Sequence, residues 1–172
     1  MSVPVTMALP RRAFGAILLS LLLAAPLALG LPAPGRAAAS LTIAPITWDV
    51  IGLDSNKPAT EGPDTFPVGA RVCNSGGSAA SNVTVAFVWD SANAAIGLAP
   101  GSASSLSVPT LAAGACTDAY FNVRVTRAKT VIDTARAYHI TATADGGVGP
   151  VATPAGRQLY VQGLVSQQRN TV

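Results

Sequence analysis

Three segments of this chain alternate apolar and polar residues with a period of two, and that pattern limits the possible folds more than any other feature. Phe66, Val68, Ala70 and Val72 share one side of the first, with Arg71 on the other. Val83, Val85, Phe87 and Trp89 oppose Asn82, Thr84, Ala86 and Val88. Ala119, Phe121, Val123 and Val125 oppose Asp118, Tyr120, Asn122 and Arg124. A period of two belongs to strands, and a single apolar face belongs to antiparallel sheets packed on one side only. Weaker strand signals cover residues 95–98, 105–111, 138–144 and 157–165, and residues 128–135 have room for one helical turn. Leu41 to Leu53 is apolar and β-branched, but Pro45 interrupts it, which suits an edge strand or a bulge. Residues 54–65 read as a loop. Turn chemistry falls between the strands at Asn74-Ser75-Gly76-Gly77, Ala99-Pro100-Gly101, Ala112-Ala113-Gly114 and Asp145-Gly146-Gly147. Short strands so punctuated, without a long amphipathic helix, predict an all-β fold: an immunoglobulin-like antiparallel β-sandwich of seven to nine strands. A closed barrel is the alternative.

The first 39 residues have a different character. Arg11 and Arg12 precede an uncharged, Leu- and Ala-rich run from Ala13 to Leu31, broken by Pro32, Pro34, Gly35 and Arg36. Ala37-Ala38-Ala39 then offers small residues before Ser40, so the expected signal-peptidase cleavage lies between Ala39 and Ser40. An uncleaved anchor is the rival reading, and Pro26 within the run argues against it. The general secretory route is expected, because no cofactor signature follows the two arginines; the twin-arginine route is the alternative. The predicted organisation is a signal peptide over 1–39, a sandwich over 40–165 and a polar tail or linker over 166–172. That tail has the composition of an interdomain linker, and neighbouring domains of a longer chain are expected to follow it.

The leader also explains the charge. Of eleven basic residues, Arg11, Arg12 and Arg36 lie before position 40 and none of the eight acidic residues does, so the remainder is balanced at eight against eight. A mature surface without net charge gives no electrostatic reason to seek nucleic acid or anionic lipid. Neither nucleic acid nor, after cleavage, a membrane is expected as a partner.

Export takes the chain out of the reducing cytosol, and its two cysteines, Cys73 and Cys116, are expected to form one disulfide. Cys73 shares the polar phase of Arg71, and Cys116 that of Asp118 and Tyr120. The bridge is therefore expected at a sheet edge or outer face, unlike the core-spanning bridge of antibody domains.

Catalytic chemistry finds little to work with. The single histidine, His139, falls on the polar side of Tyr138, Ile140, Ala142 and Ala144, and no nucleophile motif accompanies it. Two cysteines 43 positions apart and one histidine do not make a zinc set. Asp54-Ser55-Asn56 and Asp90-Ser91-Ala92-Asn93 carry the oxygen ligands that Ca²⁺ prefers, but without EF-hand spacing they read as turn formers. Asn82-Val83-Thr84 fits a glycosylation sequon and reads as the opening of a strand. No catalytic residue, metal ligand or cofactor-binding residue is expected. Trp48, Phe87 and Trp89 are assigned to the core, which leaves Tyr120 and Tyr160 as the aromatics available to a ligand.

The stretch Val72-Cys73-Asn74-Ser75-Gly76-Gly77-Ser78-Ala79-Ala80-Ser81-Asn82-Val83 resembles bacterial surface-protein repeat sandwiches, namely the conserved-repeat domain of unknown function and the cell-adhesion-related CARDB modules. Their shared pattern is a strand ending in Asn, a glycine-containing turn, then Ala and Asn-Val opening the next strand. Leu111-Ala112-Ala113-Gly114, followed by the alternating Phe121, Val123 and Val125, is the second matching feature. The resemblance implies a non-catalytic exported module of the cell envelope, structural or adhesive, facing an unidentified protein or glycan at the cell surface. It implies no catalytic residues and no cofactor. A secreted carbohydrate-binding or accessory domain of a hydrolase is the alternative.

Overall fold

The alternating segments form the facing layers of a β-sandwich. The computed structural model describes residues 37–165; most of the predicted leader and the whole of the predicted tail lie outside the described residues. Ten strands follow in chain order among them: β1 Leu41–Pro45, β2 Val50–Asp54, β3 Thr65–Asn74, β4 Ala80–Trp89, β5 Ile96–Leu98, β6 Ser105–Leu111, β7 Cys116–Val125, β8 Ala135–Ala144, β9 Val148–Ala152 and β10 Gln158–Leu164. One sheet has the order β1-β3-β7-β5. The other has the order β2-β10-β8-β4-β6, with β9 pairing β8 beyond the end of β10. The predicted helical turn is a single 3-10 turn, Lys129–Val131.

The predicted faces are the observed ones. Val68, Ala70 and Val72 of β3 and Phe121, Val123 and Val125 of β7 point inward from the first sheet. Val83, Val85 and Phe87 of β4 meet them from the second, with Tyr138 and Ile140 of β8 and Leu159 and Val161 of β10. Phe87 is the hinge of the aromatic packing. It stacks on Tyr138 at 5.0 Å, meets Trp89 edge-on at 4.7 Å, and reaches Phe121 of the opposite sheet at 5.5 Å. Burial of these faces removes apolar area from water and is the main term favouring the fold.

Four features depart from the sequence reading. The run from Leu41 to Leu53 is two strands in two different sheets. β1 is an edge strand, as Pro45 suggested, and the chain then crosses over to β2 in the other sheet. Trp48 lies in that crossover and is 89% exposed, which corrects its assignment to the core. Not all pairing is antiparallel, since β2 runs parallel to β10 with Val50 opposite Tyr160. The strand count exceeds the predicted range by one, because β9 contains Gly149 and Pro150 and shows no alternation.

Candidate functional site

The disulfide and the turn below it form one locked end of the sandwich. Cys73 of β3 and Cys116 of β7 sit directly opposite each other, with Cα atoms 4.0 Å apart, and are bridged. The pair just beyond the end of the ladder is hydrogen-bonded from the Asn74 amide to the Ala115 carbonyl, so the cysteines occupy the closer, non-hydrogen-bonded position of an antiparallel ladder. The bridge lies on the outer face, as the phase of both residues predicted. Beside it, Arg71 Nε and Nη2 donate to the two oxygens of Asp118 at 2.7 and 2.8 Å. The guanidinium holds the Asp118 carboxyl below its usual range.

Asn74 is the residue whose role the sequence motif concealed. It is 1% exposed, and its side chain uses every bonding position at hand. The amide nitrogen donates to the Ser78 and Leu111 carbonyls at 2.7 and 3.0 Å, and the oxygen accepts from the Gly76 and Ser40 amides at 3.1 and 3.2 Å. One neutral side chain thus joins the start of the sandwich, the β3–β4 turn and the end of β6. Ala39 and Ser40, flanking the predicted cleavage point, run along this turn. Ala37 accepts a bond from the Ser78 hydroxyl, and a Cβ on Gly76 would lie 2.2 Å from the Ala38 oxygen, so only glycine fits there.

The crossover at the other end is clamped from both sheets. The Ile46 amide donates to the Gly69 carbonyl, and the Thr47 hydroxyl accepts from the Gly69 amide, both at 3.0 Å. Arg157 donates to the Thr47 carbonyl at 3.2 Å and to the Asp49 carboxylate. Tyr138 donates its hydroxyl to the same carboxylate at 2.9 Å and accepts from Arg157 Nε at 3.2 Å. Desolvation pushes the Tyr138 phenol up to about 12; its bond to Asp49 adds to that rise, and Arg157 opposes it. Between these clamped neighbours, Trp48 projects into solvent. A shallow cavity of about 240 Å³ opens beside it, walled by Ile46, Val50, Ile51, Phe66 and Pro67. The exposed apolar surface continues along the outer side of β2 and β10 through Val50, Tyr160 and Leu164 to Val165.

The other sequence candidates take structural positions. His139 Nδ1 lies 2.7 and 2.8 Å from the two Asp90 oxygens, joining β8 to the end of β4. Asp54 accepts from the amides of Asn56 and Lys57 at 2.8 and 2.6 Å, which closes a turn. Asn93 donates to the Ala135 carbonyl and accepts from the Ala95 amide, which closes its own turn. Among the described residues no group of three or more His, Cys, Asp or Glu side chains is placed to hold a metal ion. Asn82 sits where β4 cannot pair with Pro109, adopts a positive φ of 50°, and donates to Asp145 at 2.6 Å. Tyr120 and Tyr160 are both exposed but stand on different sheets, so they do not form one platform. Phe87 is buried, and Trp89 is half-buried beneath the Arg136 guanidinium, 4.1 Å from its ring centre. Among the described residues no helix is long and apolar enough to cross a membrane.

The chain is similar to the CARDB domain of a Pyrococcus furiosus protein solved in complex with di-metal ions (16% identity, TM-score 0.45, covering 72% of this chain and 88% of that one). It is similar to the secreted serine protease VesC of Vibrio cholerae (17% identity, TM-score 0.38), covering 73% of this chain and only 23% of the protease. It is also similar to a family 123 glycoside hydrolase of Clostridium perfringens (11% identity, TM-score 0.39), covering 73% of this chain and 28% of the hydrolase. No curated protein matches. A family model described as CARDB matches residues 46–148, more than half of the chain, from the clamped crossover to the start of β9. The chain therefore belongs to the CARDB family, whose members are typically non-catalytic extracellular domains.

Proposed function

We propose that this chain is an exported, non-catalytic module of the cell envelope that serves as a structural or adhesive unit. The observation that carries the reading is the Trp48 crossover. Hydrogen bonds from both sheets hold the loop, yet they present an indole to solvent beside Val50, whose partner on β10 is the exposed Tyr160. Large exposed aromatic side chains on a preorganised backbone contribute strongly to contacts with partners, because little freedom is lost on binding. The disulfide suits an oxidising compartment, and the leader supplies the route to it.

Fractionation of a bacterial host expressing the full chain tests this. The chain is expected outside the cytoplasm, starting within about two residues of Ser40, as a small-residue cleavage site specifies. Its retention on washed envelopes is expected to fall when Trp48 is replaced by Ala. A cytoplasmic chain that keeps its leader, or retention unchanged by Trp48→Ala, would overturn the proposal.

A further inference from the structure

We propose that the outer face of the β1-β3-β7-β5 sheet binds an acidic polysaccharide, with one pyranose ring stacked on Tyr120 and an anionic substituent held at Arg124. The inference rests on the reading of the chain as a non-catalytic surface module, and it names a ligand class and a site for it.

Tyr120, Asn122 and Arg124 lie at two-residue intervals on the outer face of β7. The Tyr120 ring packs on Gly69, its cross-strand partner, where a Cβ would lie 2.6 Å from the ring. Glycine is required by that approach, and with the ring edge seated on the strand Tyr120 remains 51% exposed. Gly69 and Pro67 on β3 lie opposite Tyr120 and Asn122, Gly97 on β5 lies opposite Arg124 with open space above it, and the Arg71–Asp118 pair bounds the face on the far side of Tyr120. The strip of β7 from Tyr120 to Arg124 is thus the trough assigned to a flat, extended ligand.

The polar groups of the trough have bonding capacity to spare. The Tyr120 hydroxyl and the Asn122 carboxamide have no partner among the described residues, and Arg124 uses only Nε, on Asp64 at 3.2 Å. Both terminal nitrogens of that guanidinium remain for a ligand. Arg127 also approaches Asp64, at 3.4 Å, so two guanidiniums share one carboxylate and leave a positive charge uncompensated. Arg124 lines two cavities of about 400 and 460 Å³, the first shared with Asp64 and Asn122 and the second with Arg127. A carboxylate or sulfate placed there receives a forked, charge-assisted pair of hydrogen bonds. Tyr120 lies four residues away on the same face, about 14 Å along an antiparallel strand, which leaves room for a short run of pyranose rings. An aromatic surface for the ring, an amide for its hydroxyls and a cation for its charge together select a sugar acid polymer over a neutral one.

Affinity electrophoresis of the full exported chain in gels containing polygalacturonate tests the site, with neutral dextran and inorganic sulfate as the comparison probes. The expected result is retardation by polygalacturonate and none by dextran. Tyr120→Leu keeps an apolar cover over Gly69 but removes the ring, and Arg124→Gln removes the charge. Each is expected to weaken binding about ten-fold or more, whereas Tyr160→Leu on the other sheet binds like the parent. Equal retention by both polymers, a Tyr120→Leu protein that binds polygalacturonate like the parent, or binding of inorganic sulfate as tight as that of the polymer would overturn the proposal. An exported, envelope-retained chain that binds no polygalacturonate defeats the glycan site and leaves the envelope reading standing. A cytoplasmic chain that still binds polygalacturonate does the reverse.

Discussion

The ten residues from Ser40 to Asp49 are tied down twice, by opposite means. At the Asn74 end the tie is a neutral amide, buried and fully bonded to backbone groups beside a disulfide. At the Trp48 end it is an ion pair and a phenol, Arg157 with Asp49 and Tyr138, in which the Asp49 side chain is still 36% exposed. A buried neutral network is insensitive to pH and salt but costly to break, because each orphaned group keeps its desolvation penalty. A part-exposed charged cluster is worth less, is screened by salt, and titrates. The molecule places the permanent tie where the sandwich begins and the adjustable one beneath its most exposed aromatic.

The largest expected effect comes from the permanent end. Replacing both Cys73 and Cys116 by Ser should lower unfolding stability by roughly 4 kcal/mol, since the bridge closes a loop of 43 residues. Denaturant titration of the oxidised parent against the double variant measures it, and a loss near zero would remove the disulfide from the comparison. Next in size, Asn74→Ala leaves carbonyls and amides from three segments unpaired and should cost roughly 3 kcal/mol. A loss below about 1 kcal/mol would show that water substitutes readily for the amide, and the two ends would then be alike.

The adjustable end should respond to alkali. The folded state raises the Tyr138 phenol to about 12 from 10.0, so it favours the neutral form. That contribution is fully present below about pH 10 and is lost as pH rises from 10 towards 12, because the unfolded chain ionises first. Stability should fall across this window by roughly 1–2 kcal/mol, and Tyr138→Phe should remove most of the slope. A slope unchanged by Tyr138→Phe would place the titration elsewhere. The smallest effect belongs to Trp48. Its replacement by Ala should change stability by no more than about 0.5 kcal/mol, as for an exposed side chain outside the packed core. A larger loss in the same titration would show that the indole supports the crossover.

What was legible in the sequence follows from how each segment is buried. Strands β3, β4 and β7 each pack one face on the core, so their alternation could be read directly, and with it the outward phase of Cys73, Cys116 and Tyr120; the weaker alternation of β8 gave that of His139. The crossover was not legible, because Trp48 continues an apolar run and its exposure depends on Arg157 and Tyr138, about ninety or more residues away. β9 was hidden because Gly149 and Pro150 carry no alternation, and its pairing comes from β8 rather than from its own side chains. Asn74 stood inside the motif that carries the family resemblance, yet its four bonds reach residues scattered from Ser40 to Leu111, and spacing holds no sign of them.

The parallel pairing of β2 with β10 carries an implication for assembly order. Val50 cannot find Tyr160, nor Thr47 find Arg157, until almost the whole domain has been made, because the partners are about 110 positions apart. Contacts of such separation bear the greatest loop-closure cost and form late. As the chain emerges, β4 can pair with β6, and β8 with β9, while the Trp48 segment still waits for its partner. The same ordering applies in reverse when the folded domain fluctuates. The β2 edge is joined to the second sheet through β10 alone, so its release needs only that one ladder to part, and its place beside Tyr160 marks the completion of the fold.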